Sequence, residues 1–211
     1  MKTKTVAAFA TAIAVAGLFS SVSPAFAQTI IDEWASVPRP PAPELKAVRV
    51  DTKTTALLML DFMNRNCGKR PPCLASIPAV KKLLEQARAK KMAVVYSLTL
   101  NTTTADVISE VAPLAGEPWV LSGPDKFVHT DLENILKDRG IKTVIVVGTS
   151  ANGAVLYTAS GAVFRGMNVI VPVDGMSSAT KYADLSTAAV LSSAPWVSTK
   201  STLTRIDMVT F

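Results

Sequence analysis

Apolar positions fall into short unbroken runs separated by stretches with helical spacing. Ala56-Leu57-Leu58-Met59-Leu60 is continuous and stops at Asp61, the pattern of a strand buried on both faces. Pro78 to Lys91 places Ala79, Val80, Leu83, Leu84 and Ala87 on one face of a helix. Ala93-Val94-Val95-Tyr96 reads as a second strand and Trp119-Val120-Leu121 as a weaker third. Thr130-Asp131-Leu132-Glu133 has the residues of a capping box and should open a helix that stops at Gly140. Val144-Ile145-Val146-Val147 is a fourth strand, followed by Gly148 and a helix from about Gly153 to Arg165. Val169-Ile170-Val171 is a fifth strand, and a helix around Asp184 to Ser192 precedes a last strand near Leu203.

Strands alternating with helices describe βαβ units, whose right-handed crossovers build a mostly parallel sheet covered on both faces. The expected fold is therefore α/β: a three-layer α/β/α, doubly wound arrangement of about six strands. Ligands bind such folds beyond the carboxyl ends of the strands. Asp61, the segment after Leu121, Gly148 to Ala154, and Asp174 should share that rim. Neither G-x-G-x-x-G nor G-x-x-x-x-G-K-[ST] occurs, so neither a dinucleotide nor a nucleoside triphosphate is implied.

The first 27 residues read differently. Lys2 and Lys4 precede an apolar run from Val6 to Phe19, and Ala25-Phe26-Ala27 forms a small-x-small cleavage site, as in a secretory signal. The run is short for a bilayer span, so no stable membrane insertion is expected after cleavage. The mature protein would be periplasmic or secreted. Residues 28–54, with Pro38-Arg39-Pro40-Pro41-Ala42-Pro43, read as an extended arm, and 55–211 as the domain.

Composition narrows function by exclusion. Apolar residues make up 49% of the chain, too many for disorder. Removing Lys2 and Lys4 from the 22 basic residues leaves 20 against 16 acidic ones. Lys81-Lys82 and Lys90-Lys91 lie on a helical pattern, a solvated face rather than a nucleic-acid patch. Cys67 and Cys73 are the only cysteines, and in an oxidising compartment they favour a disulfide over a reactive thiol pair. A metal site is disfavoured because the one histidine, His129, is remote in sequence.

These segments, taken in order, resemble the isochorismatase-like hydrolase superfamily of cysteine hydrolases. The match runs through Ala56–Asn64, Phe127-Val128-His129-Thr130-Asp131-Leu132, Gly140–Gly148, Val155–Ala159 and Arg165–Asp174. The resemblance implies an Asp after the first strand, a Lys after the third, and a Cys opening the helix after the fourth. In such enzymes Asp takes the thiol proton, Cys attacks an amide carbon and two backbone N–H groups hold the oxyanion. Asp61 matches the Asp; its alternative is a turn-capping carboxylate. Asn64 matches the family Asn, either orienting that carboxylate or capping the loop. Lys126 stands beside Phe127 rather than five or six residues before it, so it is either a shifted equivalent or a surface lysine paired with Asp125.

The departure from the family is at the nucleophile. Ala154 aligns with the catalytic Cys, which excludes thioester chemistry through that position. The resemblance then points to the isochorismatase branch, which hydrolyses a vinyl ether by Asp-centred acid chemistry, or to a scaffold without catalysis. It also implies oxyanion donors at Ser150 and Ala154, a cis Thr149–Ser150 bond, a homo-oligomer and a small-molecule substrate; the proline arm has no core role in the sequence pattern, so residues 28 to 50 are expected to pack on a neighbour. The metal ligands of nicotinamidases have no counterpart in Ser97–Thr104, so neither metal nor cofactor is expected.

Overall fold

A computed structural model describes residues 27–211. The leader expected over residues 1–27 thus lies outside the described residues except for Ala27. The chain divides into two units, one ending at Arg39 and one spanning Pro40–Phe211. In the first, residues 30–36 form consecutive turns, started by Thr29, whose N–H and hydroxyl both donate to Asp32 at 2.8 Å.

The second unit holds the sheet. Its strands are β2 (Thr55–Leu60), β3 (Ala93–Thr99), β4 (Trp119–Ser122), β5 (Thr143–Thr149), β6 (Asn168–Pro172), β7 (Met176–Ser177) and β8 (Ser201–Thr204). The order is β4-β3-β2-β5-β6-β8, with β7 also on β5, and every pairing is parallel. The doubly wound α/β/α fold is the one expected. Helices α1 (Pro71–Ala89), α2 (Leu132–Asp138), α3 (Leu156–Phe164) and α4 (Lys181–Ser193) cover it.

The unbroken apolar runs exist because each strand feeds two cores. In β2, Leu57 and Met59 join the core that α1 covers with Ile77, Val80, Leu83 and Leu84. Ala56, Leu58 and Leu60 join the other core, with Val155, Ala159 and Ala162 around α3 and Leu191 of α4. Each such large side chain removed from water stabilises the fold by roughly 1.5–3 kcal/mol.

Three local readings are corrected. α1 begins at Pro71, not Pro78: Pro71 and Pro72 occupy its first turn, where a missing N–H costs nothing, and Pro78 is carried inside the helix. The capping box does not close. Asp131 is the N-cap, Thr130 accepts from Leu132 N, and Glu133 is drawn away by Arg165 and Lys137, both at 2.7 Å. Residues expected in the arm also join the domain: β1 (Val48–Arg49) pairs in parallel with β9 (Val209–Thr210), Lys46 N–H donates to Leu203 O, and Val50 is buried.

Strand order reverses between β2 and β5, the topological switch point where such sheets open a crevice. Leu60 pairs with Gly148 across it, so Asp61 and Thr149 leave the sheet side by side. Gly148 permits this approach: its φ is +146°, and a Cβ there would lie 2.2 Å from Leu60 O.

Candidate active site

Asp61 turns out of β2 with φ +55°, a left-handed conformation that Asp tolerates better than most residues. Its N–H donates to Ser97 O at 3.2 Å, and the Ser97 hydroxyl donates to Asp61 Oδ1 at 2.8 Å. The β2–β3 register, Leu60 opposite Ser97, makes both contacts possible. The other oxygen, Oδ2, accepts from Lys126 Nζ at 2.7 Å. Lys126 is 1% exposed and Asp61 5%, so the ion pair is removed from water.

Lys126 was open to two placements, and the structure puts it against Asp61 rather than on the surface with Asp125. The loop after β4 folds back, with Lys126 Nζ also donating to Gly123 O at 2.8 Å. The Lys126 N–H donates to the hydroxyl of Thr158, which is buried in α3. Asp125 instead accepts from Phe127 N–H at 3.0 Å. Burial pushes the Asp61 carboxyl above its ordinary range, while the Lys126 charge and the Lys126 and Ser97 hydrogen bonds pull it back.

Asn64 does not orient that carboxylate: both Asp61 oxygens bond to Ser97 and Lys126, and Asn64 is exposed, its N–H donating to Asp106 O at 2.8 Å. His129 is exposed, with φ +55°, outside this cluster. Asp174 is spent on structure, its Oδ1 accepting from Ile206 N–H at 2.9 Å.

Across the switch point, β5 ends at a cis Thr149–Ser150 bond. Residues Ala151–Val155 then form a π-helical turn leading into α3, with Ser150 O accepting from Gly153 N–H and Val155 N–H. Ala154 lies in this turn, 4% exposed, and presents only a methyl group. Ser150 N–H donates to no described residue.

Three contacts here have no marker in the sequence pattern: Ser97, Thr158 and Arg70. Arg70 Nη1 donates to Thr149 Oγ1 at 2.9 Å, and that hydroxyl donates to Ser177 O at 3.1 Å. Arg70 is the N-cap residue of α1, inside the loop closed by the Cys67–Cys73 disulfide. Among the described residues no three His, Cys, Asp or Glu side chains group to hold a metal ion, and no helix is long and apolar enough to cross a membrane.

The chain is similar to known proteins over this same region. It is 33% identical over 113 residues to the secreted isochorismatase effector Isc1 of Verticillium dahliae, covering 48% of this chain and 60% of that protein. It is 23% identical over 145 residues to YaaI of Bacillus subtilis, an uncharacterized isochorismatase family protein, covering 58% of this chain and 80% of that one. An isochorismatase-like hydrolase from Alkaliphilus metalliredigens superposes with a TM-score of 0.67 at 25% identity, over 74% of this chain and 96% of its own. N-carbamoylsarcosine amidase from Thermoplasma acidophilum shares the fold, with a TM-score of 0.63 at 23% identity, over 73% and 97%. Residues 55–200 match the Isochorismatase domain, and the chain therefore belongs to the isochorismatase-like hydrolase family.

Proposed function

We propose that this family member is an exported hydrolase that acts on a small, anionic molecule through Asp61, without a covalent enzyme intermediate. The buried Asp61–Lys126 pair carries the reading. A buried ion pair is rarely retained for stability, since apolar residues of like volume would serve as well or better. At the switch point of an α/β sheet, with its carboxyl raised by burial, it suits proton transfer. Asp61 would protonate the vinyl carbon of an enol ether and leave an oxocarbenium ion. Water adds, the hemiketal breaks to a carbonyl compound and an alcohol, and the proton released returns to Asp61. Ser150 N–H and Ala154 N–H would hold an anionic group that the substrate already carries, not charge that develops at the reacting atoms.

Ala154 supports a second reading, a non-catalytic small-molecule-binding or assembly protein on the same scaffold. Export is supported by the leader-like N-terminus, the Cys67–Cys73 disulfide and the likeness to a secreted relative. A homo-oligomer is supported by Tyr157, Phe164 and Trp196, all more than half exposed. Light scattering that finds only monomer would remove that part of the reading.

The function is tested by screening the wild type and Asp61→Asn against small vinyl ethers, esters and amides. Turnover by the wild type that falls at least about a hundredfold in the variant, as loss of general acid–base catalysis does, supports the hydrolase. Binding of a small molecule without turnover supports the second reading.

A further inference from the structure

The end of the sheet opposite Asp61 has a hollow of its own, about 570 Å³, room for a small molecule. Its walls come from the turns that enter the strands: Lys53 before β2, Met92 before β3, Pro118 before β4 and Ile141 before β5. The length of β2 separates it from Asp61, about 20 Å at strand rise.

Charge sets this hollow apart. Four basic side chains and one acidic one line it. Arg88 donates to both carboxylate oxygens of Glu117 at 2.8 Å, so those two charges cancel. Lys53, Lys91 and Arg139 are left; they are exposed, and none forms an ion pair among the described residues. α1 and α2 both end here, and each helix C-terminus brings roughly half a negative charge. The three cations less that contribution leave about two positive charges around the hollow. Just outside it, Asp51 is offset by the field of Lys142.

Lys91 gives a second, independent sign. α1 and α2 end in the same turn: Met92 N–H donates to Ala87 O as Ile141 N–H does to Leu136 O, and Lys91 N–H donates to Arg88 O as Gly140 N–H does to Lys137 O. The residue at the turn has a positive φ in both, +55° at Lys91 and +66° at Gly140. Glycine is the ordinary occupant of that left-handed position, having no Cβ to clash. α2 follows the rule, whereas α1 holds a lysine there at a conformational cost that Gly140 avoids. What the lysine adds is an ammonium group at the wall of the hollow.

We infer that this hollow is a binding site for a small dianion, a dicarboxylate or a phosphate ester, held by Lys53, Lys91 and Arg139. Two ammonium groups and a guanidinium fork suit paired anionic oxygens. The inference stands apart from the hydrolase reading, because it uses no residue of the Asp61 site.

The experiment follows backbone amide NMR shifts of the full mature protein, titrated at constant ionic strength with inorganic phosphate, succinate and, as the monoanion, acetate. Mildly alkaline pH keeps phosphate a dianion. Shifts from the dianions should concentrate at 52–53, 91–93, 114–118 and 139–141. The better dianion should bind about tenfold or more tightly than acetate, as one further charge-assisted hydrogen bond gives, and its identity tells a dicarboxylate site from a phosphate-ester site. Lys91→Gly, Lys53→Gln and Arg139→Gln should each weaken it about threefold or more. In Lys91→Gly the thermal midpoint should hold or rise, since glycine suits the turn. Lys82→Gln, at an exposed lysine of α1 outside the hollow, and Asp61→Asn should bind as the wild type does. Equal affinity for acetate and the dianions, shifts scattered over the basic surface, or an affinity that Lys91→Gly leaves unchanged overturns the site. If Lys91→Gly does not fold, unchanged affinity in both Lys53→Gln and Arg139→Gln overturns it.

Discussion

The two halves of the strand rim differ in what they kept. At the ends of β2 and β4, Asp61 and Lys126 form a buried, hydrogen-bonded charge pair with Ser97 closing the remaining carboxylate oxygen. At the end of β5, the turn that would carry a nucleophile has the cis bond and the π-helical entry to α3, yet holds Ala154. The first half is chemically equipped and costly to maintain, whereas the second is backbone alone. The contrast teaches that an alanine in the turn after β5 coexists with a buried charge pair at the neighbouring strand ends. A scaffold with no use for charge would be expected to replace both members with apolar residues.

Separating the charge pair should have the largest effect. Lys126→Met leaves a buried carboxylate unpaired and should cost about 3–5 kcal/mol in denaturant unfolding. The double variant Asp61→Asn with Lys126→Met should recover much of that loss. Fully additive losses would show that the two groups are not coupled.

Gly148 joins the two halves. Gly148→Ala should cost about 3 kcal/mol, since the new methyl group meets Leu60 O and the φ of +146° suits only glycine. Gly123→Ala, with nothing within 4 Å of its Cβ, is the matched control and should change stability little. Equal losses would mean that the Leu60–Gly148 approach is not tight. Removing the disulfide by Cys67→Ser with Cys73→Ser should cost roughly 2 kcal/mol, the loop-closure value for so short a loop. No change in thermal midpoint would show that the loop is held by α1 alone.

The smallest effect is in pH. A carboxyl whose value is raised on folding binds its proton more tightly in the native state than in the unfolded one. Asp61 therefore makes stability fall as pH climbs from the ordinary 3.8 to its raised native value, with no penalty below 3.8. In Asp61→Asn that falling component should vanish from the stability–pH curve. A wild-type curve that rises across the same window, with the rise lost in Asp61→Asn, would mean that Lys126 outweighs burial.

Much of this architecture was readable in the residues themselves. A continuous apolar run as short as Ala56–Leu60, stopped by Asp61, suits a strand with a core on each side, and that places the sheet and its rim. What could not be read depends on contacts between distant segments. Thr130–Glu133 has the residues of a capping box, but Arg165, 32 positions on, takes the carboxylate. Ser97 matters only because the β2–β3 register sets it opposite Leu60, and no local pattern encodes that register. Val48 and Val50 looked like arm residues because their partner strand is the C-terminus. Arg70 stood beside a proline pair and a cysteine, yet its partner Thr149 is 79 positions away.

The most direct test of the central claim places a thiol at the empty position. With Cys67 and Cys73 in a disulfide, Ala154→Cys carries a single free thiol, and its alkylation by iodoacetamide can be followed against pH. The thiolate is the reacting form, so a neighbouring carboxylate able to take its proton leaves a mark on the rate. If Asp61 and position 154 share one working cavity, the rate at neutral pH should fall about tenfold or more in Ala154→Cys with Asp61→Asn. A thiol that is inert, or that reacts equally with and without the Asp61 carboxylate, would contradict the account.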